Sequence, residues 1–311
     1  MNIKNVVVVG AGMMGNALAQ VFASNPELNV KLKTRSLKDD RWDAIINNLD
    51  IMISRGAATP EEKEFILSRI NFVTDDVEAY ADADFVIECY PEVMETKQNL
   101  FVEIEKICSE KCILATNTSV MSPTEIGSKC QHPERVVGAH FWNPGHLIPL
   151  VEVVKSNVTE DWVMDETMEL MASCGKKPIY CKKDVPGFVA NRLQHALWRE
   201  AFYMVENGIA DAKTVDDACK YGPGLRWPVM GPMENSDLVS IQLSKNIHDY
   251  ILPHLADNHE PSKCLAEMLE RGDNGFKTGK GWQEWTPEEI LASNTGLREY
   301  LIDYIAKQKN N

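Results

Sequence analysis

Two hydrophobic periods alternate through the first half of the chain. NVVVVG at 5–10 is a continuous apolar run, the pattern of a strand covered on both faces of a parallel sheet. Residues 13–24 follow at helical spacing, with Leu18, Val21 and Phe22 on one face. NVKLKT at 29–34 predicts a second, more polar strand, and 40–68 predicts two charged helices broken near GAATP at 56–60. DFVIECY at 84–90 and CILATN at 112–117 read as further strands on either side of an amphipathic helix over 92–108. RVVGAHF (135–141) and IPLVEVV (148–154) make the next strand pair, and a helix near 160–174 leads to KPIYCKK at 177–183. Beyond DVPGF at 184–188 the strand signals nearly vanish. Helical periodicity then runs through 188–207, 213–221, 234–253, 261–271 and 286–307. The change predicts a seam at 184–187, with a doubly wound α/β domain over 1–185 and an all-α domain over 186–311.

Gly10-Ala11-Gly12-Met13-Met14-Gly15 sits where that first strand ends and the helix begins. A lone G-x-G-x-x-G is common, but in this context each glycine has a task. Gly10 permits the tight turn, Gly12 lets a pyrophosphate approach the backbone, and Gly15 allows close helix–strand packing. The helix N-terminus then faces the phosphates, with Met13 and Met14 in its first turn. This reads as a Rossmann-type site for NAD(P). The second strand runs into Lys33-Thr34-Arg35-Ser36, with no acid to bond a ribose 2′-hydroxyl; Asp39 and Asp40 come too late. Arg35 and Thr34, with Ser36 and Lys38, suit a 2′-phosphate instead, so NADP is the expected preference.

Composition narrows the partners. The chain has 311 residues, 44% hydrophobic and 25% charged, and a net charge of −14, so a nucleic-acid groove and an anionic membrane surface are disfavoured. No leader peptide and no apolar stretch long enough to span a bilayer is evident. The eight cysteines are scattered without zinc spacing, which predicts reduced thiols, no metal and a cytoplasmic protein.

His140 ends one predicted strand and Glu152 lies in the next. If those strands fold back about His146, the two residues face each other. The carboxylate then fixes the imidazole tautomer and raises its basicity, which is the arrangement of a general acid/base.

At these residues the chain resembles the 3-hydroxyacyl-CoA dehydrogenase family. The resemblance runs through GAGMMG (10–15), VIECYPEVMETKQNLF (86–101), TNTSVMSPTEI (116–126), GAHFWNPGHLIPLVEVV (138–154), DVPGFVANRL (184–193), VMGPMENSDL (229–238) and GFKTGKGW (275–282). It implies a hydride transfer in which His140 is the acid/base and Glu152 its orienting partner. It places Ser119 and Asn191 near the reacting end of the substrate. It assigns Glu92, Lys97, Asn143 and Lys277 to the nicotinamide and its ribose, and Asn117 is a further candidate cofactor-binding residue. His146 and Arg226 are candidate substrate contacts, Arg226 as countercharge for a carboxylate. The family also implies a homodimer formed by the helical half. NP-x-H-x-IPLVE leans toward the L-gulonate 3-dehydrogenase and carnitine dehydrogenase branches, which act on free hydroxy acids, whereas GFKTGKGW is typical of the acyl-CoA branch. A short 3-hydroxyacyl-CoA is the expected substrate and a free 3-hydroxy acid the alternative. Arg55, Lys63 and Arg69 are the available partners for CoA phosphates. The non-enzymatic alternative is a silent NAD(P)-binding regulatory protein.

Overall fold

The structure is a computed structural model that describes residues 3–309. Five runs recognisable as strands, β1 (Asn5–Val9), β2 (Asn29–Lys33), β4 (Phe85–Glu88), β5 (Ile113–Thr116) and β6 (Val136–Phe141), are joined by β3 (Ile70–Val73) into a parallel sheet. β7 (Leu150–Lys155) pairs antiparallel with β6, and β8 (Lys177–Cys181) continues parallel to β7. The order is β3-β2-β1-β4-β5-β6-β7-β8. The chain therefore reverses direction across the sheet between β1 and β4, and it is outside such a crevice that open α/β sheets hold ligands.

Helices cover both faces. They are α1 (Met13–Ala23), α2 (Asp43–Ser54), α3 (Pro60–Arg69), the short α4 (Asp76–Tyr80), α5 (Met94–Glu105), the short α6 (Pro123–Ile126) and α7 (Asp161–Ser173). One core layer packs Leu18 and Phe22 of α1 and Met164 and Leu170 of α7 against Val6, Val8, Ile87 and Ala139. The other packs Phe101 and Ile104 of α5 against Val7, Val9, Val86 and Leu114. Alternate residues of each central strand serve opposite layers, as a two-faced parallel strand requires. β3 and α4 have no counterpart in the pattern analysis. INFV is a four-residue edge strand, too short to show a period beside the charged helix before it.

The later helices are α8 (Ala190–Glu206), α9 (Ala212–Tyr221), α10 (Pro232–Val239), α11 (Ile241–Ile251), α12 (Lys263–Glu270) and α13 (Pro287–Lys309). The single helix expected over 234–253 is two, because Ser240 takes φ +90° and its hydroxyl accepts from the Leu243 amide as the cap of α11. Leu193–Gly296 forms one compact unit, and the described residues before and after it form the other. The second half of α13 thus belongs with the sheet: Leu301, Ile302 and Ile305 pack with Met52, Ala57, Ala58 and Leu147. No helix among the described residues is long and apolar enough to cross a membrane.

The glycine loop separates two kinds of constraint. A Cβ on Gly15 would lie 1.7 Å from the Gly10 carbonyl oxygen, whereas a Cβ on Gly12 would meet nothing within 4 Å. Gly15→Ala is therefore expected to cost about 1–3 kcal/mol, read as a lowered Tm, while Gly12→Ala keeps the wild-type Tm. Equal Tm values for the two variants would contradict this geometry.

Candidate active site

β1 delivers Gly10 at φ +103°, with its amide donating to Lys33 O at 2.9 Å, and α1 starts three residues later. Around this turn lies a cavity of about 900 Å³ lined by Gly10–Met14, Asn16, Lys33–Ser36, Lys38, Asp40, Arg41, Ala44, Cys89–Pro91 and Thr96. Its size is that of a cofactor site. Two observations fit it to a dinucleotide. The space beside Gly12 is open, so a side chain there would fill the place where a pyrophosphate approaches the loop. Asn16, only 7% exposed, has an orphaned Oδ1 while its Nδ2 donates to Ala11 O at 3.2 Å. Sequence reasoning passed over Asn16 because asparagine in a first helical turn carries no signal of its own.

Next to this cavity β4 ends at Glu88, which has no solvent exposure. Lys97 Nζ donates to both its oxygens at 2.8 and 2.9 Å, Tyr90 N donates at 2.8 Å, and Thr116 Oγ1 donates as well. Burial pushes the Glu88 carboxyl up, and Lys97, Thr116 and Tyr90 oppose it. Lys97 also reaches Tyr90 O at 3.2 Å and Glu92 at 3.4 Å. It is 1% exposed and is absent from the cavity wall, so it holds the loop that forms the wall. Glu92 does not cap α5, whose N-cap is Val93. Its carboxylate accepts from Thr118 Oγ1 at 2.9 and 3.0 Å and from the Ser119 amide at 2.7 Å. Asn117 Oδ1 accepts from the Phe141 amide at 2.8 Å, tying the end of β5 to the end of β6.

His140 and Glu152 face each other across the β6–β7 pair, the register expected from their spacing. His140 Nδ1 lies 2.9 Å from Glu152 Oε2. The same oxygen accepts from Trp142 Nε1 at 3.2 Å, and Oε1 accepts from the Val189 and Ala190 amides, each at 2.9 Å. Burial would raise this carboxyl, but the donors from His140, Ala190, Val189 and Trp142 together hold it below the ordinary value. An ionised carboxylate only accepts, so Nδ1 carries a proton, and in the neutral ring Nε2 is then the acceptor. Trp142 and Phe188 flank the ring, each with its centroid 5.9 Å away.

At the start of α8, Asn191 Nδ2 donates to Ser119 O at 2.9 Å, which brings Ser119 and Asn191 together. Asn143, before the cis bond to Pro144, is exposed. His146 lies in a different place from the glycine-loop cavity. It lines a second cavity with Gln20, Met52 and Lys176, its Nδ1 is buried without a partner, and burial followed by the Lys176 charge brings its pKa down to about 4. Arg226 and Lys277 belong to the other unit. There Arg226 Nη1 is 3.4 Å from Asn235 Oδ1, and the Lys277 amide donates to Asn274 O at 3.3 Å. Among the described residues no group of three or more His, Cys, Asp or Glu side chains could hold a metal ion.

Comparison with known proteins matches two domains in order. The 3-hydroxyacyl-CoA dehydrogenase NAD binding domain covers residues 5–185, and the C-terminal domain of the same family covers residues 187–285. The chain belongs to the 3-hydroxyacyl-CoA dehydrogenase family. It is 34% identical to the 3-hydroxyadipyl-CoA dehydrogenase of Escherichia coli over 92% of its own length, but spans only 60% of that enzyme. It is 30% identical to a 5-formyl-3-hydroxy-2-methylpyridine 4-carboxylate 5-dehydrogenase of Mesorhizobium japonicum over 96% of both chains. An L-carnitine dehydrogenase of Bacillus cereus is 36% identical, over 74% of this chain and 70% of that one. Among solved structures, a 5-formyl-3-hydroxy-2-methylpyridine 4-carboxylic acid 5-dehydrogenase, described as an NAD+-dependent dismutase, superposes with TM-score 0.87 at 29% identity over 97% of each chain. The (S)-3-hydroxybutyryl-CoA dehydrogenase of Ralstonia eutropha gives TM-score 0.76 at 30% identity, over 92% of this chain and all of that one.

His140→Gln should lose about 10²–10⁴-fold in kcat, the contribution of a positioned acid/base, and keep its cofactor affinity by calorimetric titration. Turnover within a few fold of wild type would remove His140 from the chemistry.

Proposed function

We propose that the chain is an NAD(P)-dependent dehydrogenase that interconverts the C3 hydroxyl and keto groups of a 3-hydroxyacyl substrate. The observation that carries the reading is the His140–Glu152 pair, with Nδ1 and Oε2 2.9 Å apart. In oxidation Nε2 removes the hydroxyl proton, and the imidazolium that forms is stabilised by Glu152 at Nδ1. In reduction the same imidazolium returns the proton to the forming alkoxide. A dinucleotide held at the Gly10–Gly15 loop would supply or take up the hydride at C3. Asn191, held by Ser119 O, has a second amide proton to offer the developing alkoxide, a dipole set before reaction begins. Ser119 and Asn191 are assigned to substrate, whereas His146 lines the second cavity and Arg226 lies in the other unit, so neither is given a part in this site. Glu92, Lys97, Asn117 and Asn143 are assigned to the nicotinamide end, and of these Glu92, Lys97 and Asn117 act through the loops they hold. A short 3-hydroxyacyl-CoA finds support in the family match and in the 3-hydroxyadipyl-CoA relative. A free 3-hydroxy acid finds support in the pyridine carboxylate and L-carnitine relatives.

The cofactor cavity supports NADP over NAD. Its wall carries Arg35, Lys38 and Arg41 against the single acid Asp40, while Lys33 pairs with Asp76 at 2.9 Å. The eight free thiols suit a reducing, cytoplasmic setting.

The helical unit supports a homodimer. Helices α8 to α12 bury no side chain fully, and Trp227, Val229, Met233, Leu238, Ile241 and Tyr250 are all exposed. So much apolar surface on one unit calls for a partner, and a second copy on a two-fold axis covers it with like.

Two measurements test these assignments. Wild type should show a higher kcat/KM with NADPH than with NADH, and Arg35→Ala should erase the difference. A preference for NADH that is the same in the variant would refute it. Light scattering should give twice the 35.0 kDa chain mass, and a monomer at micromolar concentration would refute the dimer.

A further inference from the structure

A CoA thioester brings a 3′-phosphate and a diphosphate, and a site for it needs cations free to pair with them. The α2–α3 hairpin holds three basic residues suited to that work, and each already has partners within the fold. Arg55, which caps α2, donates from Nε and Nη2 to the two oxygens of Asp303 at 3.0 and 2.8 Å, and Nη1 lies 3.1 Å from Glu299. Lys63 pairs with Asp50. Arg69 Nη2 donates to the Pro26 and Leu28 carbonyls, and its guanidinium lies over the Phe65 ring at 5.3 Å. Over residues 43–69 five acids stand against these three bases, and Glu299 and Asp303 add two more acids from α13. The hairpin is therefore net negative, and phosphates approaching it are repelled.

The last turns of α13 are not incidental to this. Ile302 is 1% exposed and packs with Met52, Ala57 and Ala58 of the hairpin and with Leu147 of the loop between β6 and β7. The apolar seam holds Glu299 and Asp303 in place, so Arg55 stays saturated by its own chain. The Leu147 contact ties this clamp to the loop that joins the His140 strand to the Glu152 strand.

We propose that the substrate is a small free acid and that the α13 clamp on Arg55 excludes CoA thioesters. This rests on the dehydrogenase reading, but it can be tested apart from it, by binding. Free CoA titrated into the cofactor-saturated enzyme should show no saturation below about 1 mM. Arg55→Ala and Arg55→Lys should leave that result unchanged, with Arg55→Ala lowering Tm and Arg55→Lys recovering part of the loss. In steady state, the best of 3-hydroxybutyrate, L-carnitine and L-gulonate should exceed 3-hydroxybutyryl-CoA by roughly 100-fold in kcat/KM, the scale of discrimination one well-placed site can reach. Micromolar CoA binding that weakens about tenfold in Arg55→Ala, the loss expected for a charge-assisted contact, would overturn the proposal, as would a CoA ester that outperforms all three acids. Failure to turn over either class, with CoA still not bound, would sink the dehydrogenase reading and leave the exclusion of CoA standing.

Discussion

A carboxylate with no access to water stays ionised only where donors replace its hydration, and Glu152 is such a group. Its four donors come from three parts of the chain: His140 on β6, Trp142 just beyond it, and the Val189 and Ala190 amides at the start of α8. Removing one partner from a buried ionic arrangement costs about 3–5 kcal/mol, because the charge that remains is uncompensated. The same contacts that keep Glu152 charged thus fix the imidazole tautomer, the β6–β7 register and the entry into α8. The reacting geometry and the local stability share one set of hydrogen bonds.

Much of this was legible in the residues because it depends on local rules. Strand pairing has a period of two, so the twelve-residue spacing of His140 and Glu152 about a central loop sets their register. The glycine loop followed from a buried strand feeding a helix. Other features depend on tertiary placement and left no local signal. Lys97 looks like any exposed helical lysine until Glu88, nine residues earlier at the end of an apolar strand, is found beneath it. Asn16 becomes informative only when its Oδ1 is seen to lack a partner. His146 reads as a candidate substrate contact in the loop between His140 and Glu152, and its place beside Lys176 in the second cavity is set by tertiary packing that leaves no local signal. The break at Ser240 hides inside a continuous apolar period, because a positive φ at serine is not encoded in hydropathy.

The net charge of −14 also has a local meaning. Arg35, Lys38 and Arg41 gather on the wall of the cofactor cavity beside the single acid Asp40, whereas Lys4 pairs with Glu27, Lys31 with Asp82 and Lys155 with Asp161. A basic cavity wall on an acidic chain directs an anionic cofactor by field as well as by contact.

α13 begins within the Leu193–Gly296 unit and ends on the sheet unit. In covalent terms the helical unit is an insertion, joined to its host at two points instead of one. A fragment cut after residue 185, where the family domain stops, would lack the segment that covers Met52, Ala57, Ala58 and Leu147 and would carry a raw apolar strip into solvent. The family domain and the compact unit therefore have different boundaries here, because the unit also takes in residues 186–192 and the chain from Leu297.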